Sequence, residues 1–267
     1  MADFCVKKVP MVENPQFLER KPFVFSEMFH GNWGLFGKVI SNPETNIVYD
    51  IDGILIDTPK IVLKRFTEKT GIKTDPAEIN DWNYLGQLAM RFNLDQESID
   101  HANGDWYKPE VLKHAKRYLH IKPLVQTTLN YHGPDKNFVL TSRNPDFKET
   151  TISQFAHEFP EIKSENILIR DSGGVDNGIS SSFKVENIRK LAQKARWVLF
   201  VDDQPDFCEA VLKSGVENCL VINIPLGAIK PALPHDRLIV MGRFPNEIQA
   251  MYPFKYAVDK ALRDFVR

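Results

Sequence analysis

Five short runs in which apolar side chains fill both faces mark out the chain: "NIVYDI" (46–51), "NFVLTS" (137–142), "ILIR" (167–170), "WVLFVD" (197–202) and "CLVINI" (219–224). A strand with one wet face alternates apolar and polar residues, so runs without alternation predict strands covered on both sides, as in a parallel sheet. Helical spacing takes over between them, at 147–159 before the third run, 184–194 before the fourth and 207–214 before the fifth. From 132 to 230 the pattern therefore reads as repeated strand–helix units, which predicts an α/β protein with a doubly wound, Rossmann-like parallel sheet. Ligands of such sheets bind at the carboxyl ends of the strands.

Between the first and second runs, residues 58–131 keep helical periodicity and contain no strand of the buried kind. Their aromatics are Phe66, Trp82, Tyr84, Phe92, Trp106, Tyr107 and Tyr118. That is far more chain than a crossover needs, and its place just after the first strand predicts a small helical cap over the strand ends. Most of these aromatics are expected to build the cap's own core. The organisation predicted is a core of 45–57 and 132–230, a cap of 58–131, and terminal extensions of 1–44 and 231–267, rich in Pro and Phe, to which no chemistry is assigned.

Composition narrows the class without naming it. With 267 residues, 43% of them hydrophobic and 26% charged, the chain suffices for one sizeable core and a smaller module. A formal net charge of -1 gives no global attraction to nucleic acid or to an anionic membrane, although a nucleic-acid partner is not ruled out. No apolar run approaches a membrane span, and the N-terminus lacks the apolar centre of a secretory signal. Cys5, Cys208 and Cys219 are too few and too scattered for a disulfide framework or a zinc site, which favours unpaired thiols in a reducing, cytoplasmic setting. Oligomeric state is not legible.

The chemistry is concentrated where the strands end. "VYDIDGIL" ends the first run on Asp50 and Asp52, "NFVLTSR" ends the second on Thr141 and Ser142, and "WVLFVDD" ends the fourth on Asp202 and Asp203. In extended chain residues i and i+2 share a face, so Asp50 and Asp52 both project toward this edge, with Gly53 permitting a sharp turn beneath them. Four carboxylates at low dielectric need compensation. A hard divalent cation with oxygen ligands supplies it, and Mg2+, which keeps sites for water and phosphate, suits best. Lys184, at the start of the helix before the Asp202 strand, is placed to reach the same edge. Asp206 reads either as a further ligand or as the N-cap of a helix beginning near Phe207. Arg143 and Arg170 read as phosphate contacts or as partners of acids.

These residues, in this order, resemble the haloacid dehalogenase superfamily of phosphohydrolases: an apolar strand with Asp-x-Asp-Gly, a strand ending in Thr or Ser, a lysine, and a strand ending in paired acids. The cover runs from about residue 45 to 225 and includes a cap between the first two motifs. Within the superfamily, "DIDGILIDT", "DPAEINDWN", "TSRNPDFKETTISQF" and "VDDQPDFCEAVLKSGVENCLVINIP" look like the 5'(3')-deoxyribonucleotidase branch. "TSR", "ILIR" and the run after "DD" are also similar to the phosphatase half of polynucleotide kinase-phosphatases. The resemblance implies Asp50 as nucleophile, Asp52 as acid and then base, and Mg2+ on Asp50, the Asp52 carbonyl and Asp203 with Asp202 close by. It implies Thr141, Ser142 and Lys184 on the phosphate, and a small phosphorylated substrate, a nucleoside monophosphate above all. Trp82 and Tyr84 are then the candidates for stacking on a base.

Competing readings fit less of the chain. "HGNWGLFGKV" (30–39) misses the P-loop spacing and has Val39 where a hydroxyl is required. "DIDGILIDTPKI" lacks the glycine and glutamate of a calcium-binding EF-hand loop. Metal-dependent glycosyl transfer also uses Asp-x-Asp but gives no role to Lys184 or to Asp202 and Asp203. The alternatives kept open are a phosphatase for a nucleic-acid 3'-end or a small metabolite, and a non-catalytic binding protein of the same fold.

Overall fold

The computed structural model describes residues 29–81, 83–104, 108–118, 121–171, 179–241 and 247–265. All five expected strands form: β2 (Thr45–Tyr49), β3 (Asn137–Thr141), β4 (Ile167–Ile169), β5 (Trp197–Asp202) and β6 (Cys219–Asn223). Two more join them, β1 (Phe29–Gly31) and β7 (Leu238–Met241), to give a seven-stranded sheet in the order β1-β7-β6-β5-β2-β3-β4. Every pairing is parallel except β1 with β7, which is antiparallel. β2 lies in the interior of the sheet, hydrogen-bonded to β5 on one side and β3 on the other. The chain segments expected to carry the site therefore end side by side.

Side chains of these strands alternate between two apolar layers, which is why neither face could be polar. Ile47, Tyr49, Val139, Leu199, Val201, Leu220 and Ile222 belong to one cluster, with helices α1 (Trp33–Ile40), α6 (Ile121–His132), α7 (Lys148–Glu158) and α10 (Glu247–Phe265). Val48, Leu140, Val198, Phe200, Cys219 and Val221 belong to the other, with α8 (Ile179–Ala192) and α9 (Pro205–Lys213). Cys208 and Cys219 are buried free thiols, and Cys5 lies outside the described residues.

The segment after β2 carries α2 (Thr58–Thr70), α3 (Tyr84–Arg91), α4 (Gln96–Gly104) and α5 (Pro109–Leu112) before α6. Asp57 caps α2 by accepting from the Lys60 N–H at 3.2 Å, and Gly71 ends it at φ +73°. Val62, Leu63, Phe66, Ile79, Tyr84, Leu85, Leu88, Ala89 and Val111 form a small core of their own, completed by Leu226 from the loop after β6. At Gly227 a Cβ would come within 2.5 Å of the Pro76 carbonyl oxygen, so only glycine allows the insertion to lie this close to that loop.

Three sequence expectations are corrected. The terminal segments are not mere flanks, because β1, α1, β7 and α10 extend the sheet and cover it. The insertion does not stay one unit to residue 131: α6 packs its Ile121, Leu124, Val125 and Leu129 into the sheet's cluster. Helix α8 starts at Ile179, so Lys184 lies inside it and not at its opening. Among the described residues, no helix is long and apolar enough to cross a membrane.

Candidate active site

Asp50 directly follows β2, its N–H donating to the Val201 carbonyl at 2.9 Å and so extending the β2–β5 ladder by one residue. The chain then doubles back. The Leu55 and Ile56 N–H groups both donate to the Ile51 carbonyl at 2.9 Å, and the Gly53 N–H to the Ile56 carbonyl at 2.9 Å. Gly53 sits at φ +83°, and a Cβ on it would meet the Asp203 Oδ2 atom at 3.0 Å. The glycine of the Asp-x-Asp-Gly segment thus serves both as the turn and as room for the acid from the next strand.

At the end of β5, Asn223 donates its side-chain amide to the Asp202 and Asp203 carbonyls, each at 3.2 Å, fixing the main chain of the acidic pair. Asp202 Oδ1 accepts from the Gln204 N–H at 2.8 Å. Lys184, on α8, is almost fully buried and donates to Asp50 Oδ1 at 2.7 Å and to Asp202 Oδ2 at 2.5 Å. Its ammonium also lies 4.4 Å from the centre of the Phe207 ring. Lys190 on the same helix and Lys163 instead pair on the surface with Glu186 and Asp135.

Asp50, Asp202 and Asp203 each offer a carboxylate oxygen within 4.8 Å of the others, and all three are buried. Three carboxylate oxygens are hard donors of the kind a divalent cation such as Mg2+ takes, and Gly53 keeps a side chain from crowding the Asp203 carboxylate among them. The residues fit the ion. Burial pushes the Asp50 carboxyl up to about 7; the Lys184 charge opposes this, and the neighbouring Asp202 and Asp52 charges reinforce it. A bound cation favours the ionised form by the same electrostatics.

The carboxylate of Asp52 is not one of these three. Arg143 grips it from both sides, Nε to Oδ2 at 2.8 Å and Nη2 to Oδ1 at 2.7 Å, while the Thr58 hydroxyl donates to Oδ1. Burial alone would raise this carboxyl, but the Arg143 charge and hydrogen bonds, with Thr58, hold it below the usual carboxylate range. The surroundings therefore tune Asp52 toward its ionised form, the form that takes up a proton. Of the two readings of Arg143, pairing with an acid is the one observed. Arg170 is likewise buried and donates to Ser180 Oγ at 3.1 Å.

Thr141 is buried at the end of β3, its Oγ1 accepting from the Arg143 N–H at 3.2 Å, which leaves the hydroxyl proton available to donate. The Ser142 hydroxyl is buried, with no hydrogen-bond partner among the described residues. Asp206 is exposed in the first turn of α9, whose cap is Gln204, so it is neither a member of the acidic group nor the cap. Tyr84 is buried in the insertion's core with its hydroxyl donating to Glu78 at 3.1 Å, so its ring is packing and not an open face. Trp82 lies outside the described residues. Sequence reasoning gave no role to Thr58, Thr151, Gln154 and Phe207, although each lies in one of the segments that carry the resemblance.

No family model matches the chain, and no curated protein does. Among solved structures, protein tyrosine kinase A of Mycobacterium tuberculosis is 14% identical, with 78% of this chain and 96% of that one covered, at a TM-score of 0.51. The likeness is one of fold. Two other similar structures are a phosphoglycolate phosphatase, so described by prediction, from Haemophilus somnus (12% identical, 78% of this chain and 97% of that one, TM-score 0.47) and CbbY from Rhodobacter sphaeroides in complex with xylulose-1,5-bisphosphate (16% identical, 73% and 92%, TM-score 0.45).

The buried Lys184 yields a prediction that does not depend on any activity. Lys184→Met keeps the volume but leaves Asp50 and Asp202 facing each other without their shared cation. Breaking a buried ion pair from one side costs about 3–5 kcal/mol, so the apparent melting temperature should fall by several degrees. Added Mg2+ should recover part of the loss. Thermal unfolding with and without the ion measures both.

Proposed function

We propose that the chain hydrolyses phosphomonoesters through a covalent aspartyl phosphate on Asp50. The observation that carries this reading is Lys184, which reaches from α8 to Asp50 and Asp202 and completes a buried constellation with Asp203. A carboxylate held between a lysine and a metal-ready group of acids suits attack on phosphorus, where positioning and charge provide most of the catalysis. Asp50, Asp203 and the Asp52 carbonyl, with Asp202 beside them, would hold Mg2+, which when bound neutralises the phosphoryl oxygens.

The chain's own residues divide the rest of the work. Asp50 attacks phosphorus, and the leaving oxygen departs with a proton from Asp52, which must first take that proton up against the pull of Arg143. In the second half Asp52, kept ionised by Arg143, accepts a proton from the water that attacks the phosphoaspartate. Lys184 offsets charge on Asp50 and on the phosphate, while the Thr141 and Ser142 hydroxyls are placed to donate to phosphoryl oxygens. A non-catalytic binding protein would have no need for both Asp50 and Asp52.

For substrate we assign a nucleoside monophosphate, on the likeness of the segments around Asp50, Trp82, Thr141 and Asp202 to 5'(3')-deoxyribonucleotidases. Since Tyr84 is committed to packing, Trp82 is the remaining aromatic of "DWNYLG" for stacking on a base. Hydrolysis of p-nitrophenyl phosphate with Mg2+ tests the reaction, and a panel of nucleotides, 3'-phosphorylated oligonucleotides and sugar phosphates tests the substrate. Base stacking is worth about 1–3 kcal/mol, so Trp82→Ala should raise KM for nucleoside monophosphates by about 5- to 150-fold. Hydrolysis of p-nitrophenyl phosphate should stay nearly unchanged. A parallel loss on both substrates would mark Trp82 as structural, and failure on every nucleotide would leave the phosphatase without this specificity.

A further inference from the structure

Gln154 lies on α7, near the end of the segment that begins at Thr141, and has been given no role so far, yet it is the hub between Asp52 and the insertion. Its Oε1 accepts from Arg143 Nη1 at 2.9 Å, and the same Nη1 donates to Thr151 Oγ1 at 3.2 Å. Its Nε2 donates to the main-chain carbonyls of Ala115 at 2.7 Å and Leu112 at 3.0 Å. Gln154, Thr151 and Arg143 are all buried. An amide with both ends engaged in this way has its orientation set by the fold, because flipping it would face two acceptors with an acceptor and a donor with a donor.

The segment that receives these bonds is itself stitched to the turn that bears Asp52. The Tyr118 N–H donates to the Leu55 carbonyl at 3.1 Å, and the Asp57 N–H to the Lys116 carbonyl at 2.8 Å. Arg143 therefore approaches Asp52 with its far side anchored to the end of the insertion, and Asp52 rests on a turn anchored to the same stretch. A guanidinium that grips a carboxylate with two of its nitrogens defines that carboxylate's plane. What holds the guanidinium consequently places the carboxylate.

We infer that Gln154 is a positioning residue which, through Arg143, aims the Asp52 carboxylate at the attacking water and ties that aim to residues 112–118 of the insertion. The inference rests on the phosphohydrolase reading and adds to it how the base is held. The step affected is the second half-reaction. Water oxygen bonds to phosphorus, the bond from phosphorus to the Asp50 oxygen breaks with its electron pair returning to the Asp50 carboxylate, the water proton passes to Asp52, and inorganic phosphate leaves. Misplacing a catalytic group by about 1 Å costs on the order of 100-fold.

The test is stopped-flow hydrolysis of p-nitrophenyl phosphate by the full chain with Mg2+, comparing wild type with Gln154→Met, which keeps length and bulk and removes all the polar contacts. Nitrophenolate leaves without help from an acid, so formation of the phosphoaspartate should persist as a burst of about one equivalent per active site. Steady-state turnover after the burst should fall by about 10- to 100-fold, with KM not increased. Thr151→Val removes one acceptor from Arg143 without changing volume and should lower the same rate by less; it carries the test if Gln154→Met does not fold. In a folded variant, burst amplitude and turnover falling together would overturn the inference, as would an unchanged steady state. A wild type inert toward p-nitrophenyl phosphate would overturn the phosphohydrolase reading and this inference with it, whereas an active wild type with an unaltered variant overturns the inference alone.

Discussion

Asp50→Asn should lower turnover of p-nitrophenyl phosphate by about a thousandfold or more, on the scale seen when a nucleophile is removed from a covalent mechanism, while the protein stays folded. The amide keeps the shape of the carboxyl but has neither the charge to attack phosphorus nor a full carboxylate for a metal. The structure also indicates why the fold should survive. Burial raises the Asp50 carboxyl to about 7, with Lys184 opposing and Asp202 and Asp52 reinforcing the rise, so an uncharged group at this position relieves desolvation and repulsion. Lys184 retains Asp202 as a partner at 2.5 Å. A melting temperature at or above that of the wild type, together with the loss of turnover, separates a chemical role from a structural one. Comparable activity in the variant would remove Asp50 as the nucleophile.

Removing divalent metal should abolish activity altogether. EDTA should take hydrolysis to background, Mg2+ in excess should restore it, and Ca2+ should bind without supporting comparable turnover. The argument rests on three buried carboxylate oxygens within 4.8 Å of one another, a spacing that both ions can occupy. Mg2+ demands near-octahedral geometry at about 2.0–2.1 Å, whereas Ca2+ takes more ligands at about 2.3–2.6 Å. The larger ion would displace nucleophile and phosphate from their line of approach, and catalysis by positioning tolerates little displacement. Full activity in chelator would remove the metal from the mechanism and leave Lys184 and Arg143 as the only cations named at this edge.

The sequence by itself determined the five strands from β2 to β6 and the edge at which the acids gather. Runs apolar on both faces have few other stable uses in a soluble chain, and a strand that ends in acids after such a run has nowhere to put them but the carboxyl edge of the sheet. Those statements need only local pattern: period, turn chemistry at Gly53, and the cost of burying charge. They were enough to put Asp50 and Asp202 at one edge; Lys184, which meets them across separations of 134 and 18 residues, does so from inside a helix and not from its start.

Tertiary structure decided what local pattern cannot carry. β1 and β7 are only three and four residues long and form because each finds the other at the edge of a finished sheet. Helix α6 has the same periodicity as the helices before it, and only packing assigned it to the sheet and not to the insertion's core. Tyr84 could have been a stacking surface from its sequence context; its burial among Leu85, Phe66 and Val111 settled that it is packing. Arg143 had two partners open to it, and the choice of Asp52 follows from the position of α7, where Gln154 and Thr151 hold the guanidinium 91 residues along the chain from the acid it grips. A periodic pattern records which face of an element is buried, whereas the identity of the neighbour on that face is fixed only when the whole chain has packed.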